Sequence, residues 1–251
     1  MKILGVIPAR LHSQRVKEKA LVDICGMPMV VHVYLRTKLC GVFDDVVVAT
    51  DSQKIVDVVE SYGGKAILTS DKHRNPTERL HEVSCNVDHD IIMLVNGDEP
   101  LVRPCDIELS LDTLLKSENA DASILAVKFN KFNSPSDFKV VLNNRNEIMY
   151  ISRSDIPSPG KNEVDYMLKA YHVMAFKRNT LKRYSELPLE RVERIEEHEH
   201  IRLLVNGMKM QASVIDYECF SVDTQADLDW VRSVIPKDEI FQQYKDTKTR
   251  S

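Results

Sequence analysis

The sequence predicts an α/β fold in three layers around a mostly parallel central sheet. Two observations carry this expectation. Short apolar runs rich in β-branched residues alternate with stretches whose apolar residues recur at helical spacing, the pattern of successive parallel strands joined by crossover helices. Two of the apolar runs also end in carboxylates, at Asp98 and Asp223, and the carboxyl ends of strands are where open α/β sheets bind ligands. A chain of 251 residues suits one large domain, 1–251, with an inserted hairpin lobe at about 129–188.

The elements follow in order. Lys2 to Ile7 is a buried first strand. The loop after it, Pro8 to Lys19, carries Arg10, Arg15, Lys17 and Lys19. Forked guanidinium donors and compact ammonium charges suit a triphosphate, and a solvated charged loop is the alternative. Gly26-Met27-Pro28 opens a helix that runs to about Leu39. Asp45 to Thr50 is the second strand, followed by a helix with Ile55, Val58 and Val59 inward and Gly63-Gly64 at its end. Lys65 to Leu68 is a short third strand. A polar loop from Thr69 leads into a helix from Pro76 or Thr77, with Leu80, Val83 and Val87 buried.

Ile91 to Val95 is a fully apolar strand that stops at Asn96-Gly97-Asp98-Glu99-Pro100. Gly, Asp and Pro are ordinary turn residues, so a plain turn is one reading. The other is a site where a carboxylate holds a hard divalent ion against phosphates. Asp106 begins a helix with Ile107, Leu111, Leu114 and Leu115 inward, and Ala122 to Val127 is a further strand. Asn143 to Asn146, between Phe138–Leu142 and Glu147–Ser152, marks a hairpin. Tyr166 to Phe176 is a strand and Asn179 to Tyr184 a short helix. One charged helix then runs from Leu189 to about Val205. Met210 to Val214 and Phe220 to Thr224 are strands, the second ending at Asp223. Thr224 caps a last helix with Ala226, Leu228, Val231 and Val234 inward, and a polar, mobile tail follows Pro236.

Composition narrows the function. A net charge of −4 disfavours a nucleic-acid surface, and 43% hydrophobic with 29% charged residues is ordinary for a globular protein. No apolar run reaches the ~20 residues of a membrane span, so no membrane insertion is expected. The five cysteines are scattered, which suits reduced thiols in the cytoplasm. Neither a P-loop nor a dinucleotide glycine fingerprint is present, and no His/Cys spacing suggests zinc.

If Asp98 and Asp223 reach one sheet edge opposite the basic loop, they can hold Mg²⁺ between them and a nucleotide's phosphates, the arrangement of nucleotidyl transfer. Here the chain resembles a family, the sugar-acid cytidylyltransferases of the CMP-Kdo synthetase type (Kdo is 3-deoxy-manno-octulosonate). The resemblance rests on Ile7-Pro8-Ala9-Arg10 with Arg15 and Lys19, on Gly26 to Tyr34, and on Val47-Val48-Ala49-Thr50-Asp51. It continues through Thr77-Glu78-Arg79-Leu80, Gly97-Asp98-Glu99-Pro100-Leu101, Lys139 to Leu142, Tyr150 to Pro157, Pro188-Leu189-Glu190 and Val222-Asp223-Thr224. These segments keep family order over essentially the whole chain.

The resemblance implies a Rossmann-like, three-layer nucleotidyltransferase that uses CTP, Mg²⁺ and a 2-keto-3-deoxy sugar acid. It implies that Arg10, Arg15 and Lys19, with Pro8 and Ala9, grip the CTP phosphates, and that Asp98 and Asp223 ligate Mg²⁺. Arg10, Lys19 and Asp98 are the expected catalytic residues. Thr69, Asn75, Thr77 and Arg79 would border the cytosine and ribose. Asn96, Arg153, Glu199 and His200 would face the sugar acid. A homodimer with the hairpin near its interface is also implied.

Departures from the family pattern fall at three places. Val16-Lys17-Glu18-Lys19-Ala20 stands where the family has Leu-Pro-Gly-Lys-Pro, and Asn75-Pro76-Thr77 where it has Ser-Gly-Thr. Around the sugar acid, Asn96 replaces Gln, Ala170 to Met174 loses the register of the sugar-facing His, and the helix before Glu199-His200 is longer. These changes keep two alternatives open: the same chemistry on another ulosonic acid for a capsule or surface glycan, or a nucleotide-binding homologue without catalysis.

Overall fold

The computed structural model describes residues 1–13, 15–158, 160–162 and 164–247. The chain divides into two compact units, 1–108 with 219–251, and 109–218. The end of the expected tail, 248–251, lies outside the described residues.

The first unit begins with β1 (Ile3–Ala9), a small hairpin of β2 (Asp23–Ile24) and β3 (Met27–Pro28), and α1 (Met29–Leu39). It continues with β4 (Asp45–Thr50), α2 (Gln53–Ser61), β5 (Ala66–Leu68), α3 (Pro76–Asn86) and β6 (Ile91–Val95). The unit boundary falls within α4 (Pro104–Lys116). Its strands run in the order β6-β1-β4-β5, every pairing parallel. Val6 sits opposite both Val47 and Leu94, so the centre of the sheet is lined by β-branched and aliphatic side chains. Both faces of β6 are buried, which is why its sequence is continuously apolar rather than alternating.

The second unit contains β7 (Ala122–Phe129), β8 (Lys139–Leu142), β9 (Ile148–Ser152) and β10 (Met167–Lys177). After them come α5 (Arg178–Glu186), α6 (Arg191–Glu196), α7 (Ile201–Val205) and β11 (Met210–Ile215). β7 is parallel to β11 and antiparallel to β10, while β8 pairs antiparallel with β9 and β10. The β8–β9 turn is closed by Asn143, whose side-chain oxygen accepts from the Arg145 and Glu147 amides at 2.8 and 3.0 Å.

Several expectations are corrected. The single charged helix is two helices, because Glu197 adopts a left-handed φ of 49° and ends α6. The break folds α7 back so that buried Arg202 forks onto buried Glu193 at 2.7 and 2.5 Å, which a continuous helix would not allow at nine residues' separation. The segment 220–224 is not a strand; it is an irregular stretch tied to the β6 turn. Leu115 and Ala226 face outward rather than into the core.

The C-terminal segment returns to the first unit as α8 (Gln225–Val234), a tight turn at Ile235–Lys237, and α9 (Glu239–Gln242). Thr224 caps α8 in a reciprocal box with Asp227. The stretch beyond Pro236 is docked rather than mobile, with Phe241 and Tyr244 buried. A relay of hydrogen bonds holds it. The Arg36 Nε donates to the Tyr244 hydroxyl at 3.0 Å, that hydroxyl meets His32 Nδ1 at 2.8 Å, and His32 Nε2 meets the Ile24 carbonyl at 2.8 Å. A carbonyl can only accept, so the proton of neutral His32 is on Nε2 and Tyr244 donates to Nδ1. Arg36 also pairs with Asp238 at 2.5 Å. No described helix is long and apolar enough to cross a membrane.

Candidate active site

Because β1 and β6 are parallel neighbours, the loops after them leave from the same edge of the sheet. One loop is cationic and the other is Asn96-Gly97-Asp98-Glu99-Pro100. Gly97 is required here by proximity rather than by a left-handed turn: a Cβ on it would lie 2.6 Å from the Pro8 carbonyl oxygen. That contact seats the acidic turn directly against the end of β1.

A third segment completes the cluster. The Val222 amide donates to the Asp98 carbonyl at 2.9 Å, and Ser221 Oγ donates to Glu99 Oε1 at 2.5 Å. Glu99 is buried, so it anchors the segment that carries Asp223. This role has no signal in the sequence beyond a second carboxylate beside Asp98. The Lys19 ammonium then lies 2.7 Å from Asp98 Oδ2, 2.8 Å from the Val222 carbonyl and 3.4 Å from Asp223 Oδ1. Arg15 reaches Asp223 Oδ1 at 2.8 Å. The two acids expected to pair therefore converge on one ammonium. All the acceptors there are oxygens, the donor set that hard divalent cations take.

Lys19 is presented by a one-turn helix at 19–21. Before it, Glu18, at the family's glycine position, holds φ 48°. That left-handed conformation is one glycine adopts freely, and Glu18 is tethered in it by Lys54 at 2.6 Å. Arg10 is exposed just beyond β1, Pro8 is half-buried, and Ala9 is buried opposite Thr50.

The residues expected to border the nucleoside form a second group at the ends of β4 and β5. Arg79 is buried, bonds Thr69 Oγ1 and pairs with Asp51 at 2.9 Å. Its guanidinium thus joins α3 to the strand ends. Asn75 caps α3 by accepting from the Glu78 amide at 2.9 Å, with Pro76 in the first helical turn. An N–H at that position has no helical acceptor, which is why proline is accommodated where the family has glycine. Thr77 is fully buried.

In the second unit, Arg153 stacks on Phe138 with its guanidinium carbon 4.4 Å from the ring centroid. It donates to the Glu196 and Pro135 carbonyls, both at 2.9 Å, and pairs with Glu197 at 3.6 Å. Glu199 is half-buried and His200 is buried. Burial pushes the His200 pKa down to about 3, so its imidazole is neutral at physiological pH. His172 and His198, which the sequence did not single out, lie against it, with ring centroids 5.8 and 5.0 Å away.

A mostly parallel α/β sheet, with a carboxylate turn after β6 and a second carboxylate on the segment tied to it, both facing Lys19 and Arg15 from the loop after β1, is the arrangement of a nucleotidyltransferase. The chain belongs to the cytidylyltransferase family, whose model matches residues 4–210. It is 37% identical to the 3-deoxy-manno-octulosonate cytidylyltransferase of Escherichia coli over 94% of this chain and 97% of that protein. The enzyme of the same name from Geotalea uraniireducens is 36% identical over 94% of this chain and all of its own length. Among solved structures, a CMP:2-keto-3-deoxy-manno-octonic acid synthetase complexed with CTP superposes with a TM-score of 0.90 at 36% identity, covering 94% of this chain and 99% of that one.

Proposed function

We propose that this chain transfers CMP from CTP to the anomeric hydroxyl of a 2-keto-3-deoxy sugar acid, Kdo or a close relative, releasing pyrophosphate. The observation that carries the reading is the convergence of Asp98 and Asp223 on the Lys19 ammonium, with Arg15 alongside. Its support from outside the chain is the activity named for relatives that match 94% of it.

In the reaction the anomeric oxygen forms a bond to the α-phosphorus as the bond to the β-phosphate oxygen breaks in line. The hydroxyl proton passes to solvent and the pyrophosphate carries the electron pair away. Mg²⁺, held by Asp98 and Asp223, would supply charge neutralisation of the triphosphate. Lys19 would exchange its carboxylate partners for phosphate oxygens, joined by Arg10 and Arg15, with Pro8 and Ala9 shaping the strand end. Thr69, Asn75 and Thr77 would border the nucleoside, and Arg79 would act by holding Thr69 in place. Arg153, Glu199, His200 and Asn96 would meet the sugar acid. The β8–β9 hairpin, with its exposed Met149, would lie near the interface of a homodimer.

The test is pyrophosphate release from CTP and Mg²⁺ with a panel of ulosonic acids. Turnover with Kdo, lost in Asp98→Asn and Asp223→Asn, is the expected result. Turnover with another acid and none with Kdo would move the substrate, as Asn96 and the reshaped α6–α7 turn allow. CTP binding without turnover on any acid would leave a nucleotide-binding protein instead.

A further inference from the structure

We infer that His172, His198 and His200 form a binding site for a zinc-class transition-metal ion, made of none of the residues that converge on Lys19. One ring nitrogen from each histidine lies within 4.8 Å of the other two. His172 Nε2 and His198 Nε2 are 3.2 Å apart. Two imidazoles on one tetrahedral zinc, at the usual Zn–N length, have nitrogens about 3.3 Å apart. The other nitrogen separations are within 4.8 Å, so the third imidazole must approach by no more than about 1.5 Å to share the ion.

The backbone does specific things to bring these rings together. β10 loses register with β7 between Tyr171 and Met174, so His172 sits on a bulge that redirects its side chain. The buried Ser110 hydroxyl donates to the Val173 carbonyl at 2.9 Å and so satisfies the bulge. Across from it, the left-handed Glu197 turns the chain between α6 and α7, and His198 and His200 both point inward from that turn. Phe138 packs edge-on against His198 at 4.1 Å between centroids, and Phe176 lies 6.2 Å from His200. These apolar walls fix the rings. His172 is half-buried, so the cluster has an accessible side at which water could complete the coordination.

The donor set selects the metal. Three imidazoles suit Zn²⁺ and its Co²⁺, Ni²⁺ and Cu²⁺ neighbours, whereas Mg²⁺ requires oxygen. Without metal, His198 Nδ1 accepts from the His200 amide at 3.3 Å, so its ring proton is on Nε2 and bridges to His172. Metal binding at both Nε2 atoms moves that proton to His198 Nδ1, with no net release and at the cost of the long bond from the His200 amide. The metal would tie the β10 bulge to the α6–α7 turn and fix the two histidines that flank Glu199.

The experiment is a Zn²⁺ titration of the chelator-stripped full chain against a chromogenic competitor, with Co²⁺ as spectroscopic probe. One equivalent per chain is expected, with Co²⁺ giving visible bands of four- or five-coordinate nitrogen ligation. His172→Ala, at a half-exposed position, should weaken binding at least about tenfold, while Asp98→Asn and Asp223→Asn should leave it unchanged. X-ray absorption on the zinc-loaded wild type counts the imidazoles without any variant. Substoichiometric binding, full affinity in His172→Ala, loss of affinity in Asp98→Asn, or fewer than three histidine ligands would each overturn the assignment.

Discussion

Replacing Lys19 by Met removes the ammonium shared by Asp98 and Asp223 while retaining most of the aliphatic stem. Two short bonds are lost, at 2.7 Å to Asp98 and 2.8 Å to the Val222 carbonyl, with a longer contact to Asp223. Hydrogen bonds to charged groups contribute about 1.5–3 kcal/mol when sheltered, and exposed ion pairs well under about 1 kcal/mol. The side chains of Lys19, Asp98 and Asp223 are 17%, 28% and 34% exposed, between those limits. The expected destabilisation is therefore about 1–2 kcal/mol, or about 2–8 °C in Tm for a chain of this size. The assay is urea unfolding with and without Mg²⁺. An ammonium and a divalent cation compete for the same oxygens, so Mg²⁺ should stabilise Lys19→Met more than the wild type. Turnover should fall even where Mg²⁺ restores stability, because no group then replaces Lys19 at the phosphates. Unchanged stability in the variant, or equal stabilisation of both proteins by Mg²⁺, would refute the shared-cation geometry.

Two further outcomes follow from neighbouring features. Gly97→Ala forces a Cβ to within 2.6 Å of the Pro8 carbonyl, a backbone atom that cannot rotate away, so about 1–3 kcal/mol should be lost and seen by calorimetry. Burial lowers the His32 pKa to about 4, against 6.5 in its absence. The unfolded chain then binds the extra proton first as pH falls, so this contribution to stability is complete above pH ~6.5 and is lost progressively toward pH ~4. The slope approaches about 1.4 kcal/mol per pH unit from this residue. Urea midpoints measured across that range should flatten in His32→Gln; an unaltered slope would show that the tail relay does not hold His32 neutral.

How much was legible depended on the range of the interactions. The strands Asp45–Thr50 and Ile91–Val95 have the bounds that their apolar runs suggest, because strands buried on both faces advertise themselves residue by residue. The Asn75–Pro76 start of α3 was equally local. The α6–α7 break was not legible, since nothing at Glu197 marks a left-handed residue and the helical spacing continues through it. It is held by the buried Arg202–Glu193 pair, which exists only once the chain has turned. Arg79 was expected at the nucleoside, and its burial against Thr69 and Asp51 could not be read from a motif that records only its identity. The histidine cluster escaped for the same reason: His172 is 26 residues from His198, and only a bulge aims it there.

The sequence by itself determined the alternation of strand and helix, the cationic loop after the first strand and the carboxylate turn after the fourth apolar run. Each of these is a local pattern of hydrophobicity or charge, and local patterns survive without knowledge of contacts. Only the tertiary structure decided that Asp98 and Asp223 share the Lys19 ammonium, that the stretch after Pro236 docks on α1, and that three histidines meet. Those outcomes depend on parallel pairing bringing two strand ends together, and on buried polar groups that must find partners across the fold. The partner in each case lies too far along the chain for any spacing rule to register it.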